Sequence, residues 1–314
     1  MTIIADLAAT ALAVALFGLC VLPAGWLAGR RLDLPGGTAS WTLLLGVALV
    51  PLGYFLLAHW LSPAVAWAGL AAASGVALAG LARGAERQAL TEALAGLKNR
   101  RLLWGAVLWT GTAWLLIADL PFGDGLSLSG VLIDYAKHVS VTDAISRTGI
   151  PPVNPSFRPG SDQPLFYYYF WFLLCSLPDQ LGGGLVTAKH AVFAGTLWAG
   201  LVLVAALRVT AELLPPSRLS PADATAIAAA LLLVTGLDLL PFLAIHRYAA
   251  LAGPVPGPLP DLEWWNEQVT AWTAAVLWVP HHVGALAVCL AGFRLAERGG
   301  VLALGLAGAA FASA

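Results

Sequence analysis

Long apolar runs alternate with short polar connections over most of this chain. Residues 3–28, 40–58, 62–82, 102–118, 185–207, 222–243 and roughly 279–296 are each apolar enough, and of about the length, for a membrane-crossing helix. Two runs are shorter. Residues 165–178, LFYYYFWFLLCSLP, fit a helix lying along or dipping into an interface, and the run from 301 reads as an incomplete span or the start of a longer C-terminal part. The largest interruption is 119–164, rich in Pro, Gly and polar residues. The pattern predicts an all-α, polytopic transmembrane helix bundle whose polar loop carries two interfacial amphipathic helices, one near 131–148 and one at 165–178.

Composition agrees. Of 314 residues, 59% are hydrophobic and 11% charged, with mean hydropathy +0.81, whereas soluble domains carry about 25% charge. No basic stripe suggests nucleic acid. The first residues lack the basic segment of a cleaved signal peptide. Cys20, Cys175 and Cys289 lie in apolar runs without metal-ligand spacing.

The placement of Lys and Arg sets an orientation, because cytoplasmic loops are enriched in them. The basic loops 29–39 and 83–101 face the cytoplasm, which puts the N-terminus and the 119–164 loop outside. If 165–178 crossed, the loop with Arg208 and Arg218 would lie outside. If it does not cross, every basic loop lies inside, and 244–278 becomes a second extracytoplasmic segment. The non-crossing reading therefore gives three N-terminal spans and a basic loop over 1–101, then a module over 102–314 with extracytoplasmic loops 119–184 and 244–278. No charge falls near the middle of a clear span, which argues against a proton-coupled transporter.

Candidate chemistry gathers in the extracytoplasmic loop. Val131 to Thr148 suits an amphipathic helix ended by Gly149, with Val131, Leu132, Tyr135, Val139 and Ile145 toward the membrane. Asp134, Lys137 and His138 sit at i, i+3 and i+4 on one face. A carboxylate so placed can act as a general base, or the set can be a solvated ion pair. Asp124 is a second candidate acid, although Gly123-Asp124-Gly125 also reads as a plain turn. His281 and His282 follow Pro280 in a predicted first helical turn, where the helix dipole favours an anion. A zinc site from His138, His281 and His282 would lack any spacing motif. Trp264, Trp265, Trp272 and Trp278 read as an interfacial aromatic belt or as sugar-stacking surfaces. Lys189 and His190 open their span on the extracytoplasmic side, where they can snorkel or meet a lipid phosphate.

The order of these features resembles the GT-C superfamily of membrane glycosyltransferases. The matching residues are Asp134-Tyr135, Gly149-Ile150-Pro151-Pro152, Gln163-Pro164-Leu165 and Trp278-Val279-Pro280-His281-His282. The Tyr167–Tyr169 triplet also resembles uncharacterised "YYY" polytopic membrane proteins. The resemblance covers roughly 102–296, and the first three spans are extra to the pattern. It implies transfer of a sugar from a polyprenyl-phosphate donor to a glycan, lipid or protein acceptor outside a bacterial plasma membrane, by inverting displacement. Asp134 would be the general base and Asp124 its alternate. Lys137, His138, Arg158, His246, Arg247, His281 and His282 would face the donor phosphate, and Tyr167 would join them in binding substrate. Many members carry two adjacent acids where this chain has Asp134-Tyr135, so a divalent cation, Mg or Mn, is an open requirement. Two other readings remain: a transporter or flippase of lipid-linked substrates, and a non-catalytic membrane scaffold subunit.

Overall fold

The computed structural model describes residues 3–32, 34, 38–82, 87, 91, 100–117, 121–122, 125–126, 134–157, 160, 162–211, 220–231 and 272–314. These form an almost wholly helical bundle. In chain order the helices are α1 (Ile3–Gly29), α2 (Thr38–Trp60), α3 (Pro63–Leu81), α4 (Arg100–Ile117), α5 (Tyr135–Thr148), α6 (Phe170–Leu181), α7 (Ala188–Ala211), α8 (Pro221–Leu231), α9 (Trp272–Trp278), α10 (Pro280–Arg298) and α11 (Val301–Ser313). Between α4 and α5, β1 (Pro121–Phe122) pairs antiparallel with β2 (Gly125–Leu126).

Four of the described helices, over Ile4–Gly29, Ala39–Trp60, Pro63–Gly80 and Ala188–Ala211, are long and apolar enough to cross a membrane. They fit a multi-pass membrane protein. Observed boundaries lie close to the apolar runs. Pro63 starts α3 with Ser62 as its cap, the Ser62 hydroxyl accepting from Val65 N, and Pro280 opens α10 because proline suits a first turn.

Small residues let helices approach. Gly25 lies on the Thr42 backbone and Gly46 on Val21, so a Cβ at either position would overlap the neighbouring chain and α1 and α2 pack closely as an antiparallel pair. Gly195 on α7 accommodates Cys175 and Trp171 of α6, and Gly292 on α10 accommodates Phe311 of α11. α1 and α7 run parallel with their heads level. Asp6 meets His190 at 3.1 Å, and Trp198 Nε1 donates to Val14 O at 3.0 Å. Trp109 of α4 donates its indole N–H to Leu197 O at 3.1 Å.

α5 runs from Tyr135 directly after Asp134; the expected start at 131 falls on residues 131–133, which lie outside the described residues. Gly149 ends it as expected, at φ 81° with its N–H on Ile145 O. The apolar face of α5 meets protein, not lipid. Tyr135, His138, Val141, Thr142, Ala144 and Ile145 are buried, and α5 packs on α6 and α7.

Residues 152–154 and 163–165 pair as a narrow ribbon, with Asn154 N bonded to Gln163 O and Leu165 N to Pro152 O. Beyond it the head of α6 lies beside the head of α5, where Trp171 and Phe172 meet His138. The expected helix at 165–178 is displaced: the chain is non-helical to Tyr169, and α6 runs past Pro178 to Leu181. It is also no surface helix. All seven residues from Phe172 to Pro178 are buried, because α1, α2, α5 and α7 enclose it. Its 12 residues span about 18 Å, too short for a bilayer core of about 30 Å. Gly183 and Gly184, at φ 54° and 88°, then turn the chain into α7, a left-handed conformation that glycine adopts without steric cost.

Candidate functional site

Three pieces of chain far apart in sequence meet at the head of α5: Asp134 to His138, Tyr167 to Phe172, and Trp278 to His282. Asp134 immediately precedes α5 with helical backbone angles, φ −82° and ψ −13°, and its side chain makes no capping bond. Oδ1 instead faces Lys137 Nζ at 3.2 Å, and Oδ2 accepts from Trp278 Nε1 at 2.5 Å. Burial pulls this carboxyl up, and the bonds from Lys137 and Trp278 with the Lys137 charge outweigh it, so Asp134 lies below the usual carboxylate range. It is an ionised, aimed carboxylate that remains 28% exposed.

His138 parts company with its expected neighbours. Lys137 points outward, whereas His138 is wholly buried. The reason is helical geometry: Tyr135, His138, Thr142 and Ile145 recur at helical spacing along the buried stripe, and Lys137 is one position off it. His138 packs against Tyr135, Trp171, Phe172 and His281, the last with ring centroids 5.1 Å apart and edge to face. Burial, then the Lys137 charge, pushes its pKa down to about 4, so the imidazole is uncharged at neutral pH.

His281 is buried as well, while His282 is exposed. Tyr168 stacks on His281 at 5.4 Å and on Tyr167 at 4.0 Å, and Tyr167 donates its hydroxyl hydrogen to Tyr168 Oη at 2.7 Å. Burial raises the Tyr167 hydroxyl, and the bond to Tyr168 raises it further, so it stays protonated. Neither ring nitrogen of His138 or His281 has a hydrogen-bond partner among the described residues. Tyr135 anchors the arrangement from below, its hydroxyl 2.8 Å from Thr196 Oγ1 of α7.

A cleft of about 340 Å³ has Tyr168 and His281 in its lining. Pro51 and Phe55 of α2, Trp171, Gly284 and Ala312 line it with the tyrosine triplet. Asp134, Lys137 and Trp278 do not line it.

Of the expected site residues, Asp134, Lys137, His138, Tyr167, His281 and His282 come together. Asp124, Arg158, His246 and Arg247 lie outside the described residues, as do Trp264 and Trp265. No group of three or more His, Cys, Asp or Glu among the described residues is arranged to hold a metal ion. Lys189 and His190 serve a separate contact: both meet Asp6 at the head of α1. Sequence reasoning treated Trp278 as belt or stacking surface and passed over Tyr168. The Trp-Val-Pro-His-His run was the available signal for Trp278. No protein-family model, curated protein or solved structure matches this chain.

Proposed function

We propose that the chain is a membrane glycosyltransferase that moves a sugar from a polyprenyl-phosphate donor to an extracytoplasmic acceptor, with Asp134 as general base. The observation that carries this reading is the treatment of Asp134. An indole from 144 residues away holds one oxygen of its carboxylate, and Lys137 holds the other. Such orientation suits a reacting group better than a solvated ion pair. In the reaction, the acceptor O–H gives its proton to Asp134 while its oxygen bonds to the sugar anomeric carbon. The bond from that carbon to the donor phosphate breaks, and the phosphate leaves with the electron pair. Lys137 is the described cation nearest the carboxylate. The apolar cleft beside Tyr168 and His281 suits the hydrocarbon part of the donor.

The test is transfer from a radiolabelled polyprenyl-phosphate sugar in isolated membranes. Asp134→Asn should insert normally and lose transfer by roughly 10²–10⁴-fold, the range of a general base. Full transfer by that variant would remove the mechanism. Lipid translocation by the native chain without glycosidic bond formation would favour a flippase instead.

A further inference from the structure

The surroundings of Asp134 bear on which acceptor it serves. Its charge is met locally by Lys137 at 3.2 Å, and His138 is uncharged at neutral pH. The described rim thus has no excess charge with which to select a charged acceptor. Its exposed surface is largely aromatic. Trp278 is 46% exposed while its N–H is given to Asp134. Tyr168, stacked on His281, is 53% exposed. The Trp278 ring is held, because one bond ties its edge to the carboxylate. Polar capacity remains in the carboxylate oxygens, the Tyr168 hydroxyl and His282. An aromatic face beside a fixed acceptor of hydrogen bonds suits a molecule with C–H groups on one face and hydroxyls around its edge.

Resting on the glycosyltransferase reading, we infer that the acceptor taken beside Asp134 is an uncharged carbohydrate, stacked on the ring of Trp278 with a hydroxyl turned to the carboxylate. A plain lipid-facing belt explains this indole less well, since belt tryptophans direct the N–H to the headgroup region and this one directs it to Asp134.

Binding measured without turnover tests the inference. The full chain in lipid nanodiscs is titrated with maltohexaose, cellohexaose and mannohexaose, with hexagalacturonate as an anionic probe and a Ser/Thr-rich peptide as a protein-like one. Saturation-transfer NMR and calorimetry report binding. At least one neutral oligosaccharide should bind saturably. Trp278→Ala should weaken it about tenfold or more, equal to roughly 1.4 kcal/mol, and Trp278→Phe, which keeps a ring, should weaken it much less. Asp134→Asn should still bind. Absence of binding by every neutral probe overturns the inference, as does a preference for hexagalacturonate or the peptide. Undiminished binding by Trp278→Ala overturns it too. The two readings fail separately: transfer that survives Asp134→Asn sinks the catalytic one, and glycan binding indifferent to Trp278 sinks only this one.

Discussion

At Asp134 two donors hold the carboxylate, and the consequence is measurable. Lys137 meets one oxygen and Trp278 the other. Because the indole bond helps keep the carboxyl ionised, Trp278→Phe should let its pKa rise. A rate that needs the carboxylate falls as pH drops through that pKa, so the acid limb of transfer should move to higher pH in the variant. His138 makes a second residue-scale prediction. Its folded pKa is pushed down to about 4 from 6.5, so the unfolded chain takes up the proton first. Its contribution to stability is complete above pH 6.5 and is lost as pH falls toward 4, by up to about 1.4 kcal/mol per pH unit. Thermal melts at pH 7 and pH 5 should show this loss, and His138→Phe should reduce it. Asp134, Lys137 and His138 were visible as a spacing pattern. That His138 turns inward and Lys137 outward was not, because three adjacent polar positions do not reveal where a buried stripe begins.

Among the elements, α6 departs most from its sequence pattern. Its aromatic richness and short length suggested a helix on the membrane surface, and the length argument against crossing survives. Burial on all sides depends on α1, α2, α5 and α7 closing around it, and a run read alone does not identify its neighbours. Two packing predictions belong here. Tyr135→Phe removes the hydroxyl bond to Thr196 and should cost about 1 kcal/mol, read as a lower melting temperature. Gly46→Leu places a side chain into Val21 of α1 and should cost about 3 kcal/mol or prevent folding, read as lost monodisperse yield.

For the whole molecule, the level heads of α1 and α7 fit the non-crossing reading of the aromatic run. If α1 to α4 cross and α6 does not, α7 begins on the side where α1 began, and the contact between Asp6 and His190 joins those two heads. An impermeant thiol reagent should therefore modify Leu61→Cys and Leu185→Cys from one side only, and Ser220→Cys from the opposite side only. Modification of Leu185→Cys and Ser220→Cys from the same side would break the scheme. Charge counting assigns the first side as extracytoplasmic.

By itself the sequence determined the helical class, the boundaries of most apolar helices, the shortness of the aromatic run and the polar stretch that holds Asp134. These follow from local chemistry: apolar length, proline and glycine at helix ends, and the distribution of basic residues. Tertiary structure alone decided that Trp278 clasps Asp134, that His138 meets His281, and that the tyrosine triplet and His281 line one cleft. Those contacts join residues well over a hundred positions apart, and they form only when α5, α6, α9 and α10 come together. The energy that selects them is burial and shape fit across helices, which hydrophobic periodicity within one helix does not encode.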